Sequence, residues 1–316
     1  MDTLKIFDGG SNPELTLAIC RALNEEPGRS QNIRFANGEF CPIIEESIRG
    51  LDVFVVQTAC EPVDSHLVSL LILIDALRRA SAERITAVIP NFFYGRQEKK
   101  TRGREPISAK LIANLITTAG VDRALVVDLH SASTMGFFDI PVDHLYAIPI
   151  LARYLQGLNI PDPVVVAPDA GGMNRARALA QILNAPLAIL EKERTGTNKV
   201  KIHQLIGDVR NKTSILVDDI IDTAGTLTEG IRFLESQGGR DFYACATHAL
   251  LSGPACDRLR ESPIREIIVT DSVPIPPERR LENMKILSLA ELMASAIERI
   301  HQHESVSTLF AGYPAI

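Results

Sequence analysis

Short apolar runs recur along the chain, each about as long as a buried strand, and the residues between them show helical spacing. The runs lie at residues 4–7, 53–56, 85–89, 124–127, 164–167, 215–217 and 267–269. A strand covered on both faces reads as a continuous apolar run, and parallel neighbours need a crossover that is usually a helix. The pattern predicts an α/β chain of parallel sheets covered by helices on both faces. Leu67, Leu70, Leu71, Ile74 and Leu77 recur at helical spacing after Asp64-Ser65, which can cap that helix. A second helix is predicted from Ser108 toward Gly120, whose glycine suits a C-terminal cap. Residues 284–300 read as a strand and then an amphipathic helix.

At 316 residues the chain is long for one core, so two domains are expected. Prolines at 149, 161 and 163 and Gly157 interrupt the pattern, after which the alternation restarts. The expected division is residues 1–147 and 148–303, with a tail at 304–316. The net charge of −6 argues against a dominant nucleic-acid surface, which needs a basic field. No export signal or membrane span is readable. Five cysteines without a CxxC pair suit reduced thiols, and a cytoplasmic setting is expected.

Residues 217–227, VDDIIDTAGTL, follow one of the apolar runs and lead into a helical pattern through Ile231, Phe233 and Leu234. Small residues and Gly225 let backbone N–H groups close around a phosphate at a helix N-terminus, where the dipole also favours an anion. Asp222, Thr223, Ala224, Gly225 and Thr226 form that loop. Asp218 and Asp219 would be poor company for the phosphate itself but good acceptors for hydroxyl groups. A sugar phosphate satisfies both halves. The string resembles the phosphoribosyl-pyrophosphate loop of the phosphoribosyltransferase-like superfamily, against the plainer reading of an acidic turn with capping residues.

Other stretches carry chemistry with less specificity. RFANGEF at 34–40 has the equipment to stack and hydrogen-bond a base, yet Asn-Gly is also a strong hairpin signal. FFYGRQEKKTRGR at 92–104 gathers Arg96, Lys99, Lys100, Arg102 and Arg104, either as a solvated loop or as a cradle for a polyphosphate. Asp128 and His130 close the run at 124–127, where ligands of such sheets gather. PDAGG at 168–172 offers Asp169 and two glycines that permit close backbone approach. EKERTGTNKV at 191–200 reads as a mobile loop carrying Lys192 and Arg194. The chain contains neither GxxxxGK[ST] nor GxGxxG, so any ATP is held without a P-loop or a Rossmann fingerprint.

In this order FANGEF, ALRRASAERITAVIPNFFYGRQ, PISAKLIANLITTAGVDR, GFFDIPVD, PDAGG, KER, VDDIIDTAGTL and ESVSTLF resemble the ribose-phosphate pyrophosphokinase family nearly end to end. The resemblance implies two phosphoribosyltransferase-like domains, the first on the ATP side and the second on the ribose 5-phosphate side. It implies Mg²⁺-dependent transfer of the β,γ-pyrophosphoryl group of ATP to O1 of ribose 5-phosphate, releasing AMP. Asp218 and Asp219 would meet the ribose hydroxyls, and residues 222–226 the 5-phosphate. His130 and Asp169 would contact Mg²⁺-ATP. Phe35, Asn37 and Glu39 would meet the adenine from a neighbouring subunit, with Arg96 and Gln97 completing the nucleotide site. Lys192 and Arg194 would act on the reacting phosphates. A homo-oligomer, hexamer or dimer, is implied, with the tail at a subunit interface. A regulatory phosphate and ADP site would draw on Ser47, Arg49, Ser305, Ser307 and Phe310, which match the family, while Ala132, Met135 and His144 depart from it.

Overall fold

A computed structural model describes residues 3–194 and 200–314, with no side-chain account for 192–203. In chain order the elements are β1 (Leu4–Asp8), α1 (Pro13–Ala22), β2 (Ser30–Arg34), β3 (Phe40–Ile44), β4 (Asp52–Val56), α2 (Val63–Arg79), β5 (Arg84–Ile89), α3 (Ser108–Ala119), β6 (Arg123–Val127) and β7 (Val142–Leu145). They continue as α4 (Ile148–Gly157), β8 (Pro163–Ala167), α5 (Met173–Leu183), β9 (Leu187–Arg194), β10 (Val200–Ile206), β11 (Thr213–Ile221), α6 (Gly225–Ser236), β12 (Asp241–Ala249), α7 (Ala255–Arg260), β13 (Ile264–Thr270), β14 (Met284–Leu287) and α8 (Ala290–His301). Two compact units result. One runs to Leu145 and adds Ser272–Pro274 and Ser288–Leu309; the other takes Tyr146–Asp271, Ile275–Leu287 and the chain from Phe310.

In the first unit β1, β4, β5, β6 and β7 form a parallel sheet in the order β1-β4-β5-β6-β7. Its apolar runs are buried: Val53, Val55, Ala87, Ile89, Ala124 and Val126 pack with Leu70, Ile74 and Ile116 of the helices. Helix α2 buries Leu67, Leu70, Leu73, Ile74 and Leu77, each worth about 1.5–3 kcal/mol of transfer free energy. The expected stripe is corrected in one place, because Leu73 is buried and Leu71 only half-buried. The expected cap is corrected too. The helix starts at Val63 after Pro62 without a side-chain cap, which leaves Asp64 in the first turn, where the Tyr94 hydroxyl donates to it.

Helix α3 ends as expected at Gly120, in the left-handed region at φ 115°. A Cβ there would meet the Arg78 side chain at 2.6 Å. Arg78 can swing aside, so the backbone angle carries most of the penalty. Gly120→Ala is expected to lower stability by about 1–2 kcal/mol in urea titration. A cost near zero would mean that the turn relaxes without α3.

In the second unit the sheet order is β10-β9-β8-β11-β12-β13-β14, parallel except where β10 runs antiparallel to β9. Residues 191–194 and 200, expected in a mobile loop, are strand residues. Pairing with β10 satisfies the backbone of that polar segment, so it needs no apolar run to be extended.

The expected boundary at residue 303 also shifts. Helix α8 packs on α1 and belongs with the first unit. Its C-terminal end is held by Arg84, whose Nη2 donates to Ile300 O at 2.9 Å, and by His301 Nδ1, 2.8 Å from Asp52 Oδ2. Contacts between residues so far apart in the chain leave no local sequence signal.

Candidate active site

In the second unit the site grows from strands of unequal length. β8 pairs β11 only as far as Leu216, whereas β11 continues along β12 to Ile221. Asp218 and Asp219 therefore lie inside β11, past its last pairing with β8, and not at the end of a strand closing at Val217 as the apolar run suggested. Beyond β8, Asp169 turns the chain into α5: its Oδ1 accepts the Gly172 N–H at 3.0 Å, and a Cβ on Gly171 would sit 3.2 Å from the same oxygen. Arg175 of α5 reaches both acids, with Nη1 at 3.8 Å from Asp218 Oδ1 and 3.7 Å from Asp219 Oδ1. Asp169, Asp218 and Asp219 are thus electrostatic neighbours. Single-residue reasoning missed Arg175, although it stands six residues after Asp169 on the first turn of a helix.

Burial, then the charge and hydrogen bond of Asp219, push the Asp218 carboxyl well above the usual carboxylate range; Arg175 opposes that rise and Asp169 adds to it. The Asp218 side chain keeps 29% of its exposure, so water moderates the effect without reversing it. A carboxyl raised on folding binds more protons folded than unfolded, so stability falls as pH climbs from the ordinary value of 3.8 toward the folded one. Asp218→Asn is expected to raise stability by about 1–2 kcal/mol at pH 8, with the gain fading toward pH 4. Equal urea midpoints for the two proteins across that range would remove the argument.

The loop after β11 is tied by its carbonyls. Asp222 O accepts from Ser252 N at 3.0 Å, Thr223 O from Arg258 Nη1 at 2.9 Å, and Ala224 O from Thr228 Oγ1 at 3.0 Å. Helix α6 begins at Gly225 with Ala224 at its N-cap, a residue whose side chain has no oxygen to offer the N–H groups of the first turn. The left-handed residue of the loop is Ala224, at φ 57°. Gly225 leaves room for the arginine: a Cβ there would stand 3.1 Å from Arg258 Nη1, which would have to give by a few tenths of an ångström. Arg258 lies on α7, thirty-five residues from the carbonyl it serves, beyond the reach of a local motif.

β9 pairs β8 as far as Ile189; from there to Arg194 it pairs β10 alone. Because β8 and β9 are parallel, this two-stranded ribbon extends past the carboxyl end of β8, the edge where Asp169 follows. Lys192 and Arg194 are on that ribbon by backbone; their side chains lie outside the described residues.

In the first unit RFANGEF is a hairpin tip between antiparallel β2 and β3. Phe35 N donates to Glu39 O, Gly38 N to Phe35 O, and Glu39 N to Asn37 Oδ1. Phe35 is 51% exposed, so the hairpin and base-stacking readings are compatible. In the basic stretch Phe92 and Phe93 are core residues, while Arg96, Lys99, Lys100, Arg102 and Arg104 are exposed. Glu105 organises the turn by accepting from Thr101 N, Thr101 Oγ1 and Arg102 N, bonds that hold its carboxyl below the usual range. Gln97 Oε1 accepts from Ser108 Oγ at 2.6 Å, tying the stretch to the start of α3.

After β6, Asp128 is buried at φ 39° and His130 is exposed, so of that expected pair it is His130 that faces solvent. Ser47 and Arg49 are exposed. Ser305 and Ser307 are exposed with hydroxyls 2.8 Å apart, and the Phe310 ring packs edge-on against Tyr146.

Residues 4–120 match the N-terminal domain of ribose phosphate pyrophosphokinase, and residues 195–311 the phosphoribosyl synthetase-associated domain. A ribose-phosphate pyrophosphokinase of Gloeobacter violaceus is 51% identical over 310 residues, covering 98% of this chain and 93% of that protein. One from Bacillus subtilis is 48% identical over 308 residues, covering 98% of this chain and 97% of that protein. The crystal structure of phosphoribosylpyrophosphate synthetase from Mycobacterium smegmatis superposes with a TM-score of 0.90 at 41% identity, covering 96% of this chain and all of that one. Similarity of this depth runs through both units and through the strand ends that carry the site, and the chain belongs to the ribose-phosphate pyrophosphokinase family.

Proposed function

We infer that the chain transfers the β,γ-pyrophosphoryl group of ATP to O1 of ribose 5-phosphate, giving phosphoribosyl diphosphate and AMP. The observation that carries this reading is the β11–α6 edge, where an acidic pair, a short loop and a helix start with Ala224 at its N-cap occur in a chain similar to pyrophosphokinases over nearly its full length.

In the second unit, residues 222–226 hold the 5-phosphate with backbone N–H groups and the hydroxyls of Thr223 and Thr226. Asp218 and Asp219 accept hydrogen bonds from the ribose hydroxyls and so orient O1. Arg194 and Lys192, on the ribbon beyond β8, meet negative charge as the O1–Pβ bond forms and the bond from Pβ to the α-phosphate oxygen breaks. In the first unit, His130, Arg96 and Gln97 take the nucleotide, and Phe35, Asn37 and Glu39 meet the adenine of a neighbouring protomer's ATP.

Asp169 suits Mg²⁺: it is a hard oxygen donor at a strand end, and one of its oxygens already has a backbone partner that fixes its direction. Mg²⁺ is commonly bound through one or two carboxylates plus substrate phosphates, the role given to Asp169. When bound, Mg²⁺ would neutralise the triphosphate and polarise it toward attack. A homo-oligomer with the tail at a subunit interface, and a phosphate and ADP site at Ser47, Arg49, Ser305, Ser307 and Phe310, complete the proposal. Among the described residues no helix is long and apolar enough to cross a membrane.

AMP release from ATP and Mg²⁺ tests the reading. It should require ribose 5-phosphate, and repeating it with inorganic phosphate and with ADP reports on the regulatory residues. AMP formed equally without the sugar phosphate, or none at all, would overturn the assignment.

A further inference from the structure

β6 and β7 are parallel neighbours whose regular pairing ends at Val127 and Leu145, and the Asp128 N–H adds one more bond to Leu145 O. There the chain leaves the sheet, because Asp128 sits at φ 39° and turns the backbone away from β7. The next donor, Leu129 N–H, lies past the last paired residues of β6 on both sides, Val126 towards β5 and Val127 towards β7. Leu129 is 5% exposed, so water is a poor substitute. The donor is met at 2.9 Å by a side chain, His144 Nε2, which reaches across from β7. Acceptance requires a neutral ring with its proton on Nδ1. The strand that carries His144 is itself fastened to β6, because Arg123 Nη1 donates to Asp143 Oδ2 at 2.6 Å.

We propose that His144 is a positioning residue for the nucleotide side of the site: its Nε2 replaces the missing backbone acceptor, fixes the left-handed Asp128 turn and thereby sets the direction of His130. The proposal rests on the assignment of His130 to ATP. A leucine at 144 fills similar space but accepts nothing, leaving a buried donor unmet. A glutamine carries an amide oxygen out to about where Nε2 stands.

The experiment measures AMP release by the full chain, with Mg²⁺-ATP and ribose 5-phosphate varied in turn, for wild type, His144→Leu and His144→Gln, alongside thermal melts. The expected result for His144→Leu is a KM for ATP raised about five- to tenfold, with the KM for ribose 5-phosphate within about twofold of wild type. His144→Gln should restore the ATP value to within about twofold of wild type. Three results overturn the proposal: an unchanged ATP value in His144→Leu, equal losses for both substrates that follow a drop in melting temperature, or no rescue by glutamine in a folded protein. A wild-type chain that releases no AMP overturns the functional reading instead, and this inference with it.

Discussion

Replacing Lys192 with alanine is expected to lower kcat on the order of 10²–10³-fold while the KM for ribose 5-phosphate changes by less than about threefold. The backbone supplies the reason for this split. Lys192 lies on the part of β9 that pairs only with β10, beyond the carboxyl end of β8, whereas the groups assigned to the sugar lie in β11 and the start of α6. Ground-state contacts to ribose and its 5-phosphate therefore survive the substitution. On the proposed assignment, what is removed is a cation that would meet charge building up on the transferring phosphates, an interaction stronger in the transition state than in the bound substrate. Lys192→Arg keeps the charge but changes its shape and reach, so partial recovery is expected. Steady-state kinetics with each substrate varied decides the matter. A large rise in the sugar-phosphate KM with kcat intact would place Lys192 in substrate binding and remove its catalytic role.

The strands and the main helices were legible because burial on both faces writes itself as uninterrupted apolar runs, and all seven runs coincide with strands. Gly120 announced the end of α3 for a similarly local reason, a positive φ that a glycine tolerates. β7 was not legible: Val-Asp-His-Leu is too short and too polar to stand out, and its value lies in the partners it offers β6. Residues 191–194 read as part of a loop although they belong to β9, because charged residues suit an edge ribbon as well as they suit a turn. Within the candidate site, the acids and the loop after β11 could be singled out from their string. Arg175 and Arg258 could not, since each acts through a partner brought near by folding and is, in sequence, one charged residue among many.

Arg84→Met is expected to cost about 3–5 kcal/mol of stability, the largest loss anticipated from any single change considered for the first unit. Asp52 opens β4 with no exposed surface, and Arg84 opens the neighbouring β5 with its guanidinium forked onto that carboxylate, Nε donating to Oδ1 at 2.8 Å and Nη2 to Oδ2. Nη2 also caps α8 through Ile300 O, and His301 of the same helix meets Asp52. Methionine fills much of the same volume, so the loss comes from a buried carboxylate left with His301 as its remaining partner from this cluster and from a helix end left uncapped. Removing both charges separates that cause from simple packing. The pair Asp52→Leu with Arg84→Met should be markedly more stable than Arg84→Met alone, because no buried charge remains unmatched. Urea unfolding of the three proteins measures the difference. If the double variant is as unstable as the single one, the loss lies in the cap on α8 or in packing, and the electrostatic account of this cluster fails. The cluster sits at the amino ends of β4 and β5, the edge opposite the carboxyl ends where ligands of such sheets gather. A destabilised Arg84→Met protein kept below its unfolding midpoint should therefore retain its KM values, a further measurement that separates stability from function in this fold.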